Sequence, residues 1–114
     1  MKILLADDDP VAQNILASQL IRIGLEVDVV SSGPEALHAL QSRSYEVIFM
    51  DLQMPGMSGL ETAHAIRTRW PHKCMKIIAV TGCLRKGCRE ICLQAGMDGY
   101  IAKPAKTEDI LAYL

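Results

Sequence analysis

Five short apolar runs recur along the chain, each followed by a longer stretch whose apolar residues return at helical spacing. The runs are 3–6 (ILLA), 27–30 (VDVV), 47–51 (VIFMD), 76–81 (KIIAVT) and 100–102 (YIA). Apolar residues on consecutive positions, as in 3–6, mark a strand covered on both faces. Helices are expected over 10–23, after a cap at Ser32, from a cap at Ser58 to about 69, over 84–95 and over 107–114. Pro10 and Pro34 suit first turns, Gly24 and Gly96 suit helix ends, and Pro71 closes the third helix. In the first helix Val11, Ile15, Leu16, Leu20 and Ile23 are expected on the buried side; in the second, Ala36, Leu37 and Leu40. Strands alternating with helices require parallel neighbours and right-handed crossovers, which means an open doubly wound α/β domain.

Open sheets of this kind bind ligands in the crevice beyond the carboxyl ends of their strands. There the first strand delivers Asp7, Asp8 and Asp9, the third Asp51, the fourth Thr81 and the fifth Lys103. The second offers Ser31 and Ser32, which suits an edge position. Each residue has an ordinary reading by itself; Asp9 before Pro10, for example, is a natural helix cap. Their appearance at the same end of four strands is harder to assign to chance. Clustered carboxylates take up protons unless a divalent cation shares them. Mg²⁺ fits, because it takes hard oxygen ligands and joins carboxylates to phosphate oxygens. Lys103 and the Thr81 hydroxyl suit phosphoryl oxygens, and an aspartate is a fitting acceptor of an acyl phosphate.

Composition narrows the classes further. The 114 residues suffice for one domain, half are apolar, and the formal net charge of −1 lacks the basic field that nucleic acid or an anionic membrane requires. No apolar run approaches the roughly 20 residues that span a bilayer. Met1-Lys2 precedes only four apolar residues, too few for a secretory signal, so the cytoplasm is the expected compartment. Cys74, Cys83, Cys88 and Cys92 form no CxxC pair, and reduced thiols are expected. His38, His64 and His72 read as surface residues, and Met50, Met54 and Met57 as packing rather than metal ligands.

Four segments together resemble the receiver domain of two-component response regulators: LLADDDP, MDLQMPGMSGLE, AVTG and AGMDGYIAKP, in that family's order. The wording is most similar to receivers attached to hybrid sensor kinases, although Asp9 and Ala12 stand where those often carry asparagines. The resemblance implies a flavodoxin-like (βα)5 fold with a five-stranded parallel sheet in the order 2-1-3-4-5. It implies that Asp51 is phosphorylated, that Asp8 and Asp51 ligate Mg²⁺ directly, and that Asp7 acts through water. The backbone carbonyl of Gln53 would be a further ligand. Thr81 would bond the phosphoryl group, Lys103 would bridge to it, and Tyr100 would be the switching aromatic. The surface of the fourth helix, fifth strand and fifth helix would then change, and would serve a homodimer.

The implied partner is a histidine kinase or a histidine phosphotransfer domain, met on the first helix near its polar positions Gln13 and Asn14. No enzyme activity is expected beyond Mg²⁺-dependent self-phosphorylation and dephosphorylation, whether the domain stands alone or within a hybrid histidine kinase. Gly82 replaces a more usual alanine after Thr81 and is expected to loosen that loop. The last helix stops short of the family's usual length, so residues 1–114 read as one receiver domain trimmed at, or cut from, a longer chain.

Two rivals remain. Asp7-Asp8-Asp9-Pro10-Val11 also fits the D-x-D-x-V opening of haloacid-dehalogenase-type phosphatases, with Asp7 as nucleophile and Asp9 as acid/base. That reading needs a later acidic pair, for which only Glu108-Asp109 is available, and leaves Asp51 unexplained. The other is a receiver-like interaction module that takes no phosphate.

Overall fold

The computed structural model describes residues 1–71, 73–82 and 87–114. Strands and helices alternate: β1 (Lys2–Ala6), α1 (Pro10–Arg22), β2 (Glu26–Val30), α2 (Gly33–Ser42), β3 (Val47–Met50), α3 (Gly59–Arg69), β4 (Lys76–Thr81), α4 (Cys88–Gln94), β5 (Gly99–Ala102) and α5 (Thr107–Leu111). The strands form one parallel sheet in the order β2-β1-β3-β4-β5, as expected.

Strand alternation splits the core into two layers. Ile3, Leu5, Val47, Phe49, Ile78, Val80 and Ile101 point to the side covered by Leu16 and Leu20 of α1 and Ile110 of α5. Leu4, Ala6, Ile48, Met50, Ile77 and Ala79 point to the side covered by Leu37, Leu40, Ala63, Ile66 and Cys92. Both faces of β1, β3 and β4 are therefore dry, which is why these strands read as unbroken apolar runs. The methionines follow this packing: Met50 and Met54 are buried and Met57 is partly so. His38 and His64 are exposed.

The helix starts follow their caps. Asp9 Oδ1 accepts from Val11 N–H at 3.0 Å, and Ser32 Oγ from Glu35 N–H at 3.2 Å. Ser58 forms a reciprocal capping box with Glu61, at 3.1 and 3.2 Å.

Several expectations need correction. Val11 and Ile15 are 66% and 57% exposed, not buried. At about 100° per residue Val11 and Ile15 lie only about 40° apart, and both are turned about 100° or more away from the stripe of Leu16 and Leu20. Thr107–Leu111 is shorter than the helix expected to 114; the last residues close with Tyr113 N–H to Ile110 O and Leu114 N–H to Leu111 O. The expected start of the fourth helix at Leu84, together with Cys83 and His72, lies outside the described residues. Cys88 is disulfide-bonded, against the expectation of reduced thiols throughout, whereas Cys74 and Cys92 keep their thiols. A disulfide needs only two β-carbons within bonding reach, which the lack of a CxxC pair does not exclude.

Gly59 matters most for the crevice. A β-carbon there would sit 2.2 Å from the Asp51 carbonyl oxygen, because the start of α3 folds directly onto the turn leaving β3. The same approach lets Gly59 N–H donate to Leu52 O at 2.9 Å. Gly59→Ala is expected to destabilise the fold by about 1–3 kcal/mol through this overlap, measured by urea unfolding.

Candidate functional site

The sheet ladder itself sets the crevice. Each strand-end residue beyond β1, β3 and β5 keeps its N–H on a neighbouring strand or its end: Asp7 on Val30 O at 3.1 Å, Asp51 on Ala6 O at 2.9 Å and Lys103 on Thr81 O at 2.9 Å. The side chains of Asp7, Asp51 and Lys103 thus leave from pinned backbone, and such anchoring costs them less freedom on binding.

Asp7, Asp8 and Asp51 each offer a carboxylate oxygen within 4.8 Å of the others. Asp7 and Asp51 are buried and Asp8 is exposed. Lys103 Nζ lies 2.9 Å from Asp7 Oδ2 and 3.5 Å from Asp51 Oδ2. The remaining oxygens of these two acids receive backbone donors, Asp9 N–H on Asp7 Oδ1 at 3.0 Å and Gln53 N–H on Asp51 Oδ1 at 3.3 Å. The open crevice has a volume of about 570 Å³, and its walls include Asp8, Asp9, Asp51, Gln53, Thr81 and Lys103.

The electrostatics follow from burial. Desolvation raises the Asp51 pKa above the ordinary carboxylate value, and the neighbouring Asp7 charge adds to it, against the pull of Lys103. Burial pulls the Lys103 ammonium down, but its hydrogen bond to Asp7 and the charges of both acids leave it raised overall.

The residues expected at the site do not all sit alike. Thr81 is buried at the end of β4 and lines the crevice beside Gly82. Asp9 caps α1 while its exposed flank borders the crevice. Tyr100 is half-buried and lines a second cavity with Asp109 and Tyr113, where its N–H donates to the Tyr113 hydroxyl oxygen at 3.3 Å. Of the phosphatase reading's second acidic pair, Asp109 lines this second cavity rather than the crevice and Glu108 is exposed on α5. Asn14 is exposed as expected, but Gln13 is half-buried and turned inward to the ends of β1 and β2. Sequence reasoning missed that role and the close approach at Gly59. The available signal for Gln13 was its spacing of three and seven residues before Leu16 and Leu20, which places a polar residue on the buried side.

Fold and crevice together define a class, an open doubly wound α/β domain with three carboxylates and a lysine converging where its strands end. The sequence model of the family described as "Response regulator receiver domain" matches residues 3–114. The chain is 38% identical over 115 residues to hybrid signal transduction histidine kinase L of Dictyostelium discoideum, covering 96% of this chain and 7% of that protein. It is 34% identical over 107 residues to the sensor histidine kinase GacS of Pseudomonas protegens, covering 90% of this chain and 12% of that protein. Among solved structures it is similar to the receiver domain of a sensor histidine kinase from Pseudomonas aeruginosa, which has a magnesium ion coordinated in its active-site cleft. That match has a TM-score of 0.88, 35% identity, and covers 98% of this chain and 92% of the other. The response regulator TrrA of Thermotoga maritima, in complex with Mg²⁺ and BeF, matches with a TM-score of 0.86 and 32% identity over 98% of this chain and 94% of that one.

The chain therefore belongs to the response regulator receiver domain family of two-component signalling. It spans only a small fraction of the curated relatives it matches. No helix among the described residues is long and apolar enough to cross a membrane.

A carboxyl whose folded pKa is raised contributes stability at low pH that is lost as pH rises through the folded value. In metal-free protein at neutral pH the ionised Asp51 is accordingly a net cost. Asp51→Asn is expected to raise the thermal midpoint at neutral pH. The gain should shrink toward zero as pH falls below the ordinary carboxylate range, read from thermal unfolding across pH.

Proposed function

We propose that this domain accepts a phosphoryl group from a phosphohistidine donor onto Asp51 and relays the event to the surface formed by α4, β5 and α5. The observation that carries the reading is the convergence of Asp7, Asp8 and Asp51 within 4.8 Å, with Lys103 on two of them, at the strand ends. The donor set is all carboxylate oxygen, without histidine or thiol, which suits a hard cation such as Mg²⁺ better than zinc. Asp8 and Asp51 would hold it directly, Asp7 through water, and the Gln53 carbonyl would complete the protein ligands. When bound, Mg²⁺ neutralises charge on the phosphoryl oxygens.

The remaining steps belong to the chain's own residues. An ionised Asp51 oxygen attacks phosphorus, the P–N bond to the donor imidazole breaks, and its electron pair stays on that nitrogen. Lys103 balances one phosphoryl oxygen, and the Thr81 hydroxyl donates to another. Drawing Thr81 inward frees space for Tyr100, so the two packings exchange in population. Exposed Ile91 and Leu93 on α4 and Leu111 on α5 give the resulting surface an apolar component suited to a homodimer. The donor is a histidine kinase or a histidine phosphotransfer domain, and no nucleic acid or membrane enters the reading. The domain, residues 1–114, would work in the cytoplasm as a signalling module whose only chemistry is gaining and losing its own phosphoryl group.

The test is incubation with Mg²⁺ and a small acyl phosphate, followed by reductive trapping and mass mapping. Label is expected on Asp51 and absent from Asp51→Asn, and Lys103→Met should slow labelling roughly a hundredfold. Label on Asp7 with rapid turnover would support the phosphatase instead. Absence of label, with no binding of beryllofluoride, would leave the interaction module.

A further inference from the structure

The side chain of Gln13 has no part in the reading above, yet among the described residues it is the α1 side chain that donates to the backbone of the acidic turn. Its amide nitrogen donates to the Asp7 carbonyl oxygen, to Ser31 Oγ at 3.0 Å and, more weakly, to Val30 O at 3.4 Å. Its backbone N–H meanwhile donates to Asp9 O at 2.9 Å. One residue thus holds the acidic turn from both sides, at Asp7 and at Asp9, and ties it to the end of the edge strand β2.

We propose that Gln13 is a positioning residue for the cation site, acting through the Asp7–Asp8 peptide to aim the Asp8 carboxylate. The reason lies in peptide planarity. The Asp7 carbonyl lies in one plane with the Asp8 nitrogen and α-carbon, so a bond to that oxygen sets the direction from which the Asp8 side chain leaves. Asp7 has other restraints: its N–H is on Val30 O, Oδ1 receives Asp9 N–H and Oδ2 receives Lys103. Asp8 is exposed, so packing gives its carboxylate little direction, and the peptide plane matters correspondingly more. Outer-shell groups of this kind tune metal affinity by holding the ligands that touch the ion. The inference rests on the Mg²⁺ reading of the site.

Gln13→Met keeps the length of the side chain and removes its donors. Calorimetric Mg²⁺ titration at fixed ionic strength should show affinity falling about tenfold, with the metal-free thermal midpoint little changed. Ser31→Ala, which cuts only the tie to β2, should bind Mg²⁺ like the wild type. In the wild type, the Gln13 side-chain amide resonances should shift on Mg²⁺ addition with the same midpoint as the Asp8 backbone amide. Affinity within about twofold of wild type in Gln13→Met overturns the proposal while leaving the Mg²⁺ site standing. A Ser31→Ala loss equal to that of Gln13→Met also overturns it, since helix docking would then explain both. Gln13 resonances that stay still while Asp8 titrates overturn it even where the variant folds poorly. A wild type that takes up no Mg²⁺ overturns both this inference and the cation reading.

Discussion

Asp7 and Asp51 are buried side by side at the strand ends, with one ammonium reaching both. In water two carboxylates at such separation repel weakly; beside a buried sheet the same repulsion grows and each charge also loses its hydration. Lys103 offsets part of this through contacts of 2.9 and 3.5 Å, yet Asp51 still stays harder to ionise than an ordinary aspartate. The resting site is thus short of positive charge by design of its geometry. Any group that brings a cation, or couples a cation to a phosphoryl group, relieves the same imbalance that the metal-free protein carries.

The fold keeps that imbalance from relaxing. A carboxylate on a mobile loop would swing to solvent, whereas Asp7 and Asp51 leave from backbone whose N–H groups are still bonded to Val30 and Ala6. The start of α3 pressed onto the Asp51 carbonyl, with only hydrogen at Gly59 in between, closes off movement of the third strand's turn. Gln13 does the corresponding work on the first strand's turn.

Much of this was legible along the chain. Consecutive apolar residues in β1, β3 and β4 report burial on both faces, and burial on both faces within a β–α alternation leaves few architectures besides the open parallel sheet. The caps at Asp9, Ser32 and Ser58 were equally readable, because a cap bonds to residues two or three positions on. Misreadings arose where the outcome depends on the angle round a helix. Val11 and Ile15 are apolar and near a buried stripe, but helical rotation carries them to its far side and flank.

By itself the sequence determined the class of fold, the identities of the strand-end acids, and their membership in a family defined by four ordered segments. Those are properties of local order: period, caps and motif wording survive without knowledge of what touches what. Only the tertiary structure decided that Lys103, 96 residues from Asp7, bonds to it, that Asp51 is burdened by its surroundings, and that Gln13 turns inward rather than toward a partner. The physical reason is that charge interactions and desolvation depend on distances between strands. Those distances exist only once the parallel ladder has brought the first, third and fifth strand ends to one edge.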